Sequence, residues 1–170
     1  MRSTSLKIIV PVIVLCVSLS AASEQQEAGW RFDFGSGKAA DGYVQILPTT
    51  VYSDELGYGF EPGAVVEAVD RGGDDLLKDD FCTSDKPFRF SVKAPEGNYK
   101  VTLILGDGVG ESTTTVKAEL RRLMLEKVQT KAGQFETRTI AVNIRTPKIA
   151  GDGQVKLKDR EKTTFIVTKF

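Results

Sequence analysis

The chain is 170 residues long, 41% hydrophobic and 27% charged, a balance that suits one globular domain and excludes disordered and fibrous classes. Lysine plus arginine and aspartate plus glutamate both total 23, so no surplus charge exists to hold a nucleic-acid backbone or an anionic membrane surface. The sequence contains no histidine, which excludes Ser-His-Asp and Cys-His catalysis and, with no cysteine cluster, any usual zinc site.

The first 23 residues read as an export signal. Arg2 and Lys7 give a positive start, Ile8 to Val17 is apolar, and Ser20, Ala21, Ala22 and Ser23 supply small residues for cleavage. The mature chain is expected to start near Ser23 or Glu24, outside the cytoplasm, in the periplasm or the extracellular medium. The apolar run falls short of the roughly 20 residues that span a bilayer, so no membrane association is expected after cleavage. Bulky Leu15 before Cys16 does not suit a lipid-anchoring signal. Cleavage would leave Cys82 alone, either as a buried thiol packed like a small apolar side chain or with its partner in sequence this chain lacks.

From Gly29 onward the apolar residues alternate with period two, as a half-buried strand requires. Phe88, Phe90 and Val92 share a face, as do Tyr99, Val101, Leu103 and Leu105, with Ile104 making the end of that run apolar on both faces. Val116, Ala118 and Leu120 follow, then Ile140, Val142 and Ile144, then Val155 and Leu157. Turn signals lie between the runs at Pro95 to Asn98, Gly106 to Gly110, Lys131 to Gly133 and Gly151 to Gly153. Leu120, Leu123, Met124 and Val128 fall at helical spacing, but the threonines before them and the preceding alternation favour a pair of strands. Short strands with glycine-rich turns predict an all-β, antiparallel β-sandwich of jelly-roll type over residues 29–170.

Candidate chemistry is sparse. Leu105-Gly106-Asp107-Gly108 looks like a nucleophile block of Gly-Asp-Ser type, but Gly108 stands where the serine belongs, so the segment reads as a turn leaving a strand. Gly106, Gly108 and Gly110 lack the lysine and helix of a phosphate loop. Asp70, Asp74, Asp75, Asp79 and Asp80 are dense enough to consider as glycosidase carboxylates or calcium ligands, but Gly72, Gly73 and Lys78 among them favour a solvated loop. No catalytic residue, metal ligand or cofactor is therefore assigned, and calcium is the one cation such a loop would suit. Tyr52, Tyr58 and Phe60, beside Gly57 and Gly59, are the candidate ligand-binding residues, since aromatic faces with polar neighbours stack on sugar rings. The alternative is that Phe60 and one tyrosine pack in the core.

Phe32-Asp33-Phe34-Gly35-Ser36-Gly37, Val51-Tyr52-Ser53, Gly57-Tyr58-Gly59-Phe60-Glu61, Phe81-Cys82 and Gly97-Asn98-Tyr99 through Leu105-Gly106-Asp107 carry a family resemblance. With Arg122-Leu123-Met124-Leu125-Glu126 and Val142-Asn143-Ile144-Arg145, they resemble the N-terminal domain of bacterial rhamnogalacturonan acetylesterases, members of the SGNH/GDSL hydrolases. The resemblance runs to about Lys162. It implies a galactose-binding-like sandwich ahead of an SGNH esterase domain that removes acetyl groups from the rhamnogalacturonan of pectin. The esterase domain is absent here, and Thr163 to Phe170 departs from the family pattern, so the chain is expected to be cut short within the last strands of the sandwich. The function so implied is a non-catalytic accessory domain that binds pectin-type polysaccharide. The alternative is a structural sandwich, or a fragment of one, that packs on an SGNH esterase domain and binds no sugar. A free-standing carboxylate enzyme is disfavoured because the acids lack a paired, buried context.

Overall fold

The computed structural model describes residues 29–119 and 122–145, together with the backbone of short strands at Lys7–Ile9 and Ile166–Lys169. Among the described residues all regular structure is β: β1 (Lys7–Ile9), β2 (Phe32–Phe34), β3 (Val44–Ile46), β4 (Tyr58–Phe60), β5 (Glu67–Asp70), β6 (Asp80–Thr83), β7 (Arg89–Val92), β8 (Gly97–Asp107), β9 (Ser112–Ala118), β10 (Arg122–Thr130), β11 (Gln134–Ile144) and β12 (Ile166–Lys169). A five-stranded sheet in the order β10-β9-β12-β7-β4 faces a three-stranded sheet, β1-β8-β11. Every pairing within both is antiparallel. The short β2-β3 pair is parallel, and β5-β6 is an antiparallel pair of its own. Val155, Leu157 and the Gly151 to Gly153 turn lie outside the described residues.

Alternation explains which face each strand buries. Along β9, Ser112, Thr114, Val116 and Ala118 are buried while the residues between them are half-exposed. Val101, Leu103 and Leu105 of β8 meet Ile140 and Val142 of β11 in the same core. Phe60 of β4, Phe90 and Val92 of β7 and Val116 and Ala118 of β9 face them from the larger sheet, and Phe32 and Phe34 of β2 fill the space between. Phe34 and Phe90 pack edge to face with centroids 4.8 Å apart, and Phe60 does the same with Phe90 at 5.3 Å. Such contacts add about 0.5–1.5 kcal/mol each beyond area burial.

The segment with helical spacing is strand. Residues of β10 pair with β9 from Arg122↔Ala118 to Thr130↔Ser112, with register shifts between Leu123 and Leu125 and between Leu125 and Val128. Each shift inserts an unpaired residue and moves the inward positions along by one. Met124, Leu125 and Val128 all pack against the core as a result, so bulges produce the apolar spacing that mimics a helix. Lys127, at φ 44°, sits in the second bulge, and its amide donates to Thr115 Oγ1 at 3.1 Å.

Candidate functional site

The loops at one end of the sandwich are charged. Asp107, at the end of β8, is wholly buried and accepts from Arg71 Nε at 3.0 Å and Nη2 at 2.8 Å. Its Oδ1 also accepts from the Val109 amide at 2.9 Å. Burial alone would raise the Asp107 pKa, but the Arg71 hydrogen bonds, the amides of Val109 and Gly110 and the Arg71 charge outweigh it and hold the carboxyl below its ordinary value. The same hydrogen bonding raises the pKa of Arg71 against the opposing effect of desolvation. Arg71 also lies 5.6 Å above the ring of Phe81, and Lys78 lies 5.8 Å above that of Phe135. The Gly133 amide donates to the Asp107 carbonyl at 2.9 Å, joining the β10–β11 turn to this end.

Gly106-Asp107 is therefore structural. Gly106 has φ 148°, and a Cβ there would stand 2.4 Å from the Gln134 carbonyl oxygen, so the strand end requires glycine. The bend that follows agrees with the reading of Leu105 to Gly108 as a turn leaving a strand.

The acidic loop is largely occupied by its own backbone. Asp70 Oδ1 accepts from the Gly72 amide at 2.8 Å, Asp79 Oδ2 from the Asp75 amide at 2.6 Å, and Asp75 pairs with Lys78. Asp70, Asp74 and Asp75 are exposed, as a solvated loop requires. Asp80 corrects that reading: it is 4% exposed, and its Oδ2 accepts from the Gly37 amide at 2.9 Å. Gly35 lies so close that a Cβ would stand 2.0 Å from that oxygen. Among the described residues no group of three or more His, Cys, Asp or Glu side chains could hold a metal ion.

Cys82 follows Asp80 on β6, is fully buried and unbridged, and points its Sγ at the Ile46 carbonyl at 3.6 Å. Burial, with the nearby charges of Asp80 and Asp33, pushes its pKa up to about 12. This is the buried-thiol reading, and such a thiol is a poor nucleophile.

The opposite end carries aromatic rings. The backbone of Thr50 to Tyr52 lies against β4: the Tyr52 amide donates to the Phe60 carbonyl and the Phe60 amide to the Thr50 carbonyl, both at 2.8 Å. Gly59 permits this approach, because a Cβ there would meet Tyr52 N at 2.4 Å. The turn between the tyrosines is closed by the Gly57 amide on the Ser53 carbonyl at 2.8 Å and the Leu56 amide on Ser53 Oγ at 3.1 Å. Tyr52 and Tyr58 therefore flank one turn, both half-buried. The Tyr52 hydroxyl donates to Asp54 at 3.3 Å, Lys93 lies 3.7 Å from Asp54, and the Tyr58 ring rests 5.1 Å from that of Phe32.

Phe60 does not join them. It is 1% exposed, with Phe34, Phe88 and Phe90 packed around its ring, which leaves no face for a sugar. Strand alternation is the reason: Tyr58 begins β4 at the rim, and Phe60 on the same face has already entered the core. The residues that sequence reasoning missed are Trp30 and Tyr99, both half-buried, with rings 6.1 Å apart. The Tyr99 hydroxyl donates to the Pro95 carbonyl at 2.8 Å, and burial raises its pKa. The segment 93–96 ties this pair to the tyrosine turn, since the Lys93 amide donates to the Gly57 carbonyl at 2.7 Å. The available signal was that Trp30 is the only tryptophan of the chain and stands two residues before Phe32, where the first strand of the described core begins.

Comparison with known proteins agrees with this fold. Residues 30–145 match the family described as β-agarase/YXIM esterase-like, galactose-binding domain-like. The crystal structure of protein YXIM from Bacillus subtilis superposes with a TM-score of 0.52 at 25% identity, covering 82% of this chain and 39% of that one. The chain thus spans about two fifths of the length of that structure. No curated protein matches the chain.

Proposed function

The chain belongs to the β-agarase/YXIM esterase-like family of galactose-binding-like domains, which are not themselves catalytic, and from that premise we propose that it is an accessory module binding pectin-type carbohydrate. The observation that carries this reading is the aromatic end: Tyr52 and Tyr58 flank a closed turn with Asp54 and Lys93 beside it. Half-buried rings supply flat apolar faces held in place by their inner edges, and the neighbouring charged groups supply hydrogen bonds to sugar hydroxyls. In this reading Trp30 and Tyr99, with rings 6.1 Å apart, form a second pair of stacking faces, joined to the tyrosine turn through the Lys93 amide on the Gly57 carbonyl. The parent activity, in this reading, is an SGNH-type esterase acting on rhamnogalacturonan, and the domain works after export, in the periplasm or outside the cell.

Native affinity electrophoresis in gels containing rhamnogalacturonan tests the proposal. Retardation of the folded chain relative to a gel without polysaccharide is the expected result. Unchanged mobility in a sample whose circular dichroism shows intact β structure would instead favour a sandwich that serves only to pack on an esterase domain. The observation favouring that second reading is the exposure of Val44, Leu47, Val51 and Leu56, each at least 38% accessible.

A further inference from the structure

The outer strands of the sandwich are guarded unequally. In the larger sheet, β4 is three residues long and lies under the backbone of Thr50 to Tyr52, which exchanges hydrogen bonds with Phe60. At the other margin of that sheet, β10 breaks its register with β9 twice. Covering, shortness and bulges are the usual means of keeping a sheet edge from pairing with another chain. Among the described residues β11, an outer strand of the smaller sheet, shows none of these. It runs eleven residues in unbroken register with β8 and pairs with no other described strand. A typical strand is about half that length. Gln134, Thr137, Arg138 and Thr139 are exposed along it.

We propose that this edge pairs with β11 of a second copy of the chain, antiparallel, about a two-fold axis at Thr137. A two-fold contact must be self-complementary, and the charges of β11 meet that condition. Glu136 and Arg138 flank Thr137 and share a face, with Arg138 Nη2 3.2 Å from a Glu136 carboxylate oxygen. With Thr137 opposite its own copy, each Glu136 faces the Arg138 of the second copy, and each Arg138 faces its Glu136. Phe135 then faces Thr139, and Gln134 faces Ile140, so no like charges meet. An axis one residue to either side would set Glu136 against Glu136 or Arg138 against Arg138. β11 runs from the charged end, where Gln134 meets Asp107, to the aromatic end, where Ile144 meets Gly97. The pairing therefore joins two copies near their charged ends and sets their aromatic ends at opposite poles. On the carbohydrate reading that arrangement links two polysaccharide chains, but the pairing itself is independent of that reading.

Sedimentation equilibrium of the purified chain and of charge-reversal variants tests it, with circular dichroism to show that each variant keeps its β structure. The chain is expected to reach twice its monomer mass as concentration rises, while amides within 134–140 gain protection from hydrogen exchange over the same range. Glu136→Arg and Arg138→Glu each set like charges opposite one another twice, and each should weaken dimerisation about tenfold or more. The double variant restores opposite charges and should dimerise as the original chain does. An equimolar mixture of the two single variants should form the mixed pair. A chain that stays monomeric at every concentration would overturn the proposal. So would a dimer that neither single reversal weakens, one that the double variant does not restore, or one that leaves protection at 134–140 unchanged.

Discussion

The two ends of the sandwich use polar chemistry in opposite ways. At the charged end, acids and bases are used up by the fold: Asp107 is engaged by Arg71 and the Val109 amide, Asp79 by the Asp75 amide and Asp75 by Lys78. At the aromatic end the rings of Tyr52, Tyr58, Trp30 and Tyr99 are only partly covered. Much of the carboxylate cluster is thus engaged within the fold, whereas the looser set of aromatics keeps partly exposed faces, the ones the proposed binding would use. Density of functional groups in sequence is a poor guide to which end is free to act.

Backbone substitutions should break both ends alike. Gly59→Ala at the aromatic end and Gly106→Ala at the charged end each place a Cβ 2.4 Å from a backbone atom at positive φ, and each is expected to cost about 3 kcal/mol. Urea titration checks this; a clear difference between the two would mean that one end yields more readily than its packing implies.

Side-chain changes should separate the ends. Asp107→Asn removes the charge that Arg71 faces and should cost about 2 kcal/mol, the range for hydrogen bonds to charged groups, because a third of Arg71 already meets solvent, at 32% exposure. The pKa of Asp107 is lowered on folding, so its contribution is present above the unfolded carboxylate value and fades as pH falls through the folded one. Thermal melts should show stability declining below about pH 4, with the Asp107→Asn variant less sensitive over that window. Tyr52→Ala should cost less than about 1 kcal/mol and yet abolish retardation in rhamnogalacturonan gels, whereas Lys78→Ala should leave retardation unchanged.

Cys82 lies in the core and offers the smallest effect. With its thiol pushed up to about 12, iodoacetamide at pH 8 should leave Cys82 unlabelled in the folded chain and label it fully in denaturant, as mass spectrometry of the peptide carrying Cys82 can show.

Much of the sandwich was legible because burial writes itself into period two. Val101, Leu103 and Leu105, and Val116 and Ala118, read directly as inner faces. The period failed where the backbone departs from regular pairing: bulges in β10 brought Met124, Leu125 and Val128 together at spacings that resemble a helix. The site was less legible, because the deciding contacts join residues far apart in the chain. Arg71 and Asp107, and Gly37 and Asp80, are 36 and 43 positions apart, and nothing local marks either pair. For Phe60 the sequence left two readings open, stacking on a sugar or packing in the core, and the depth of β4 decides for the core.

The most direct test of the division between the ends is backbone amide shift mapping during titration with rhamnogalacturonan oligosaccharides. The account predicts perturbations confined to residues 52–58 and 93–99 and the Trp30 indole, with 71–79, 108–111 and 131–133 unmoved. Perturbations centred on the charged loops, or none at saturating oligosaccharide, would contradict it.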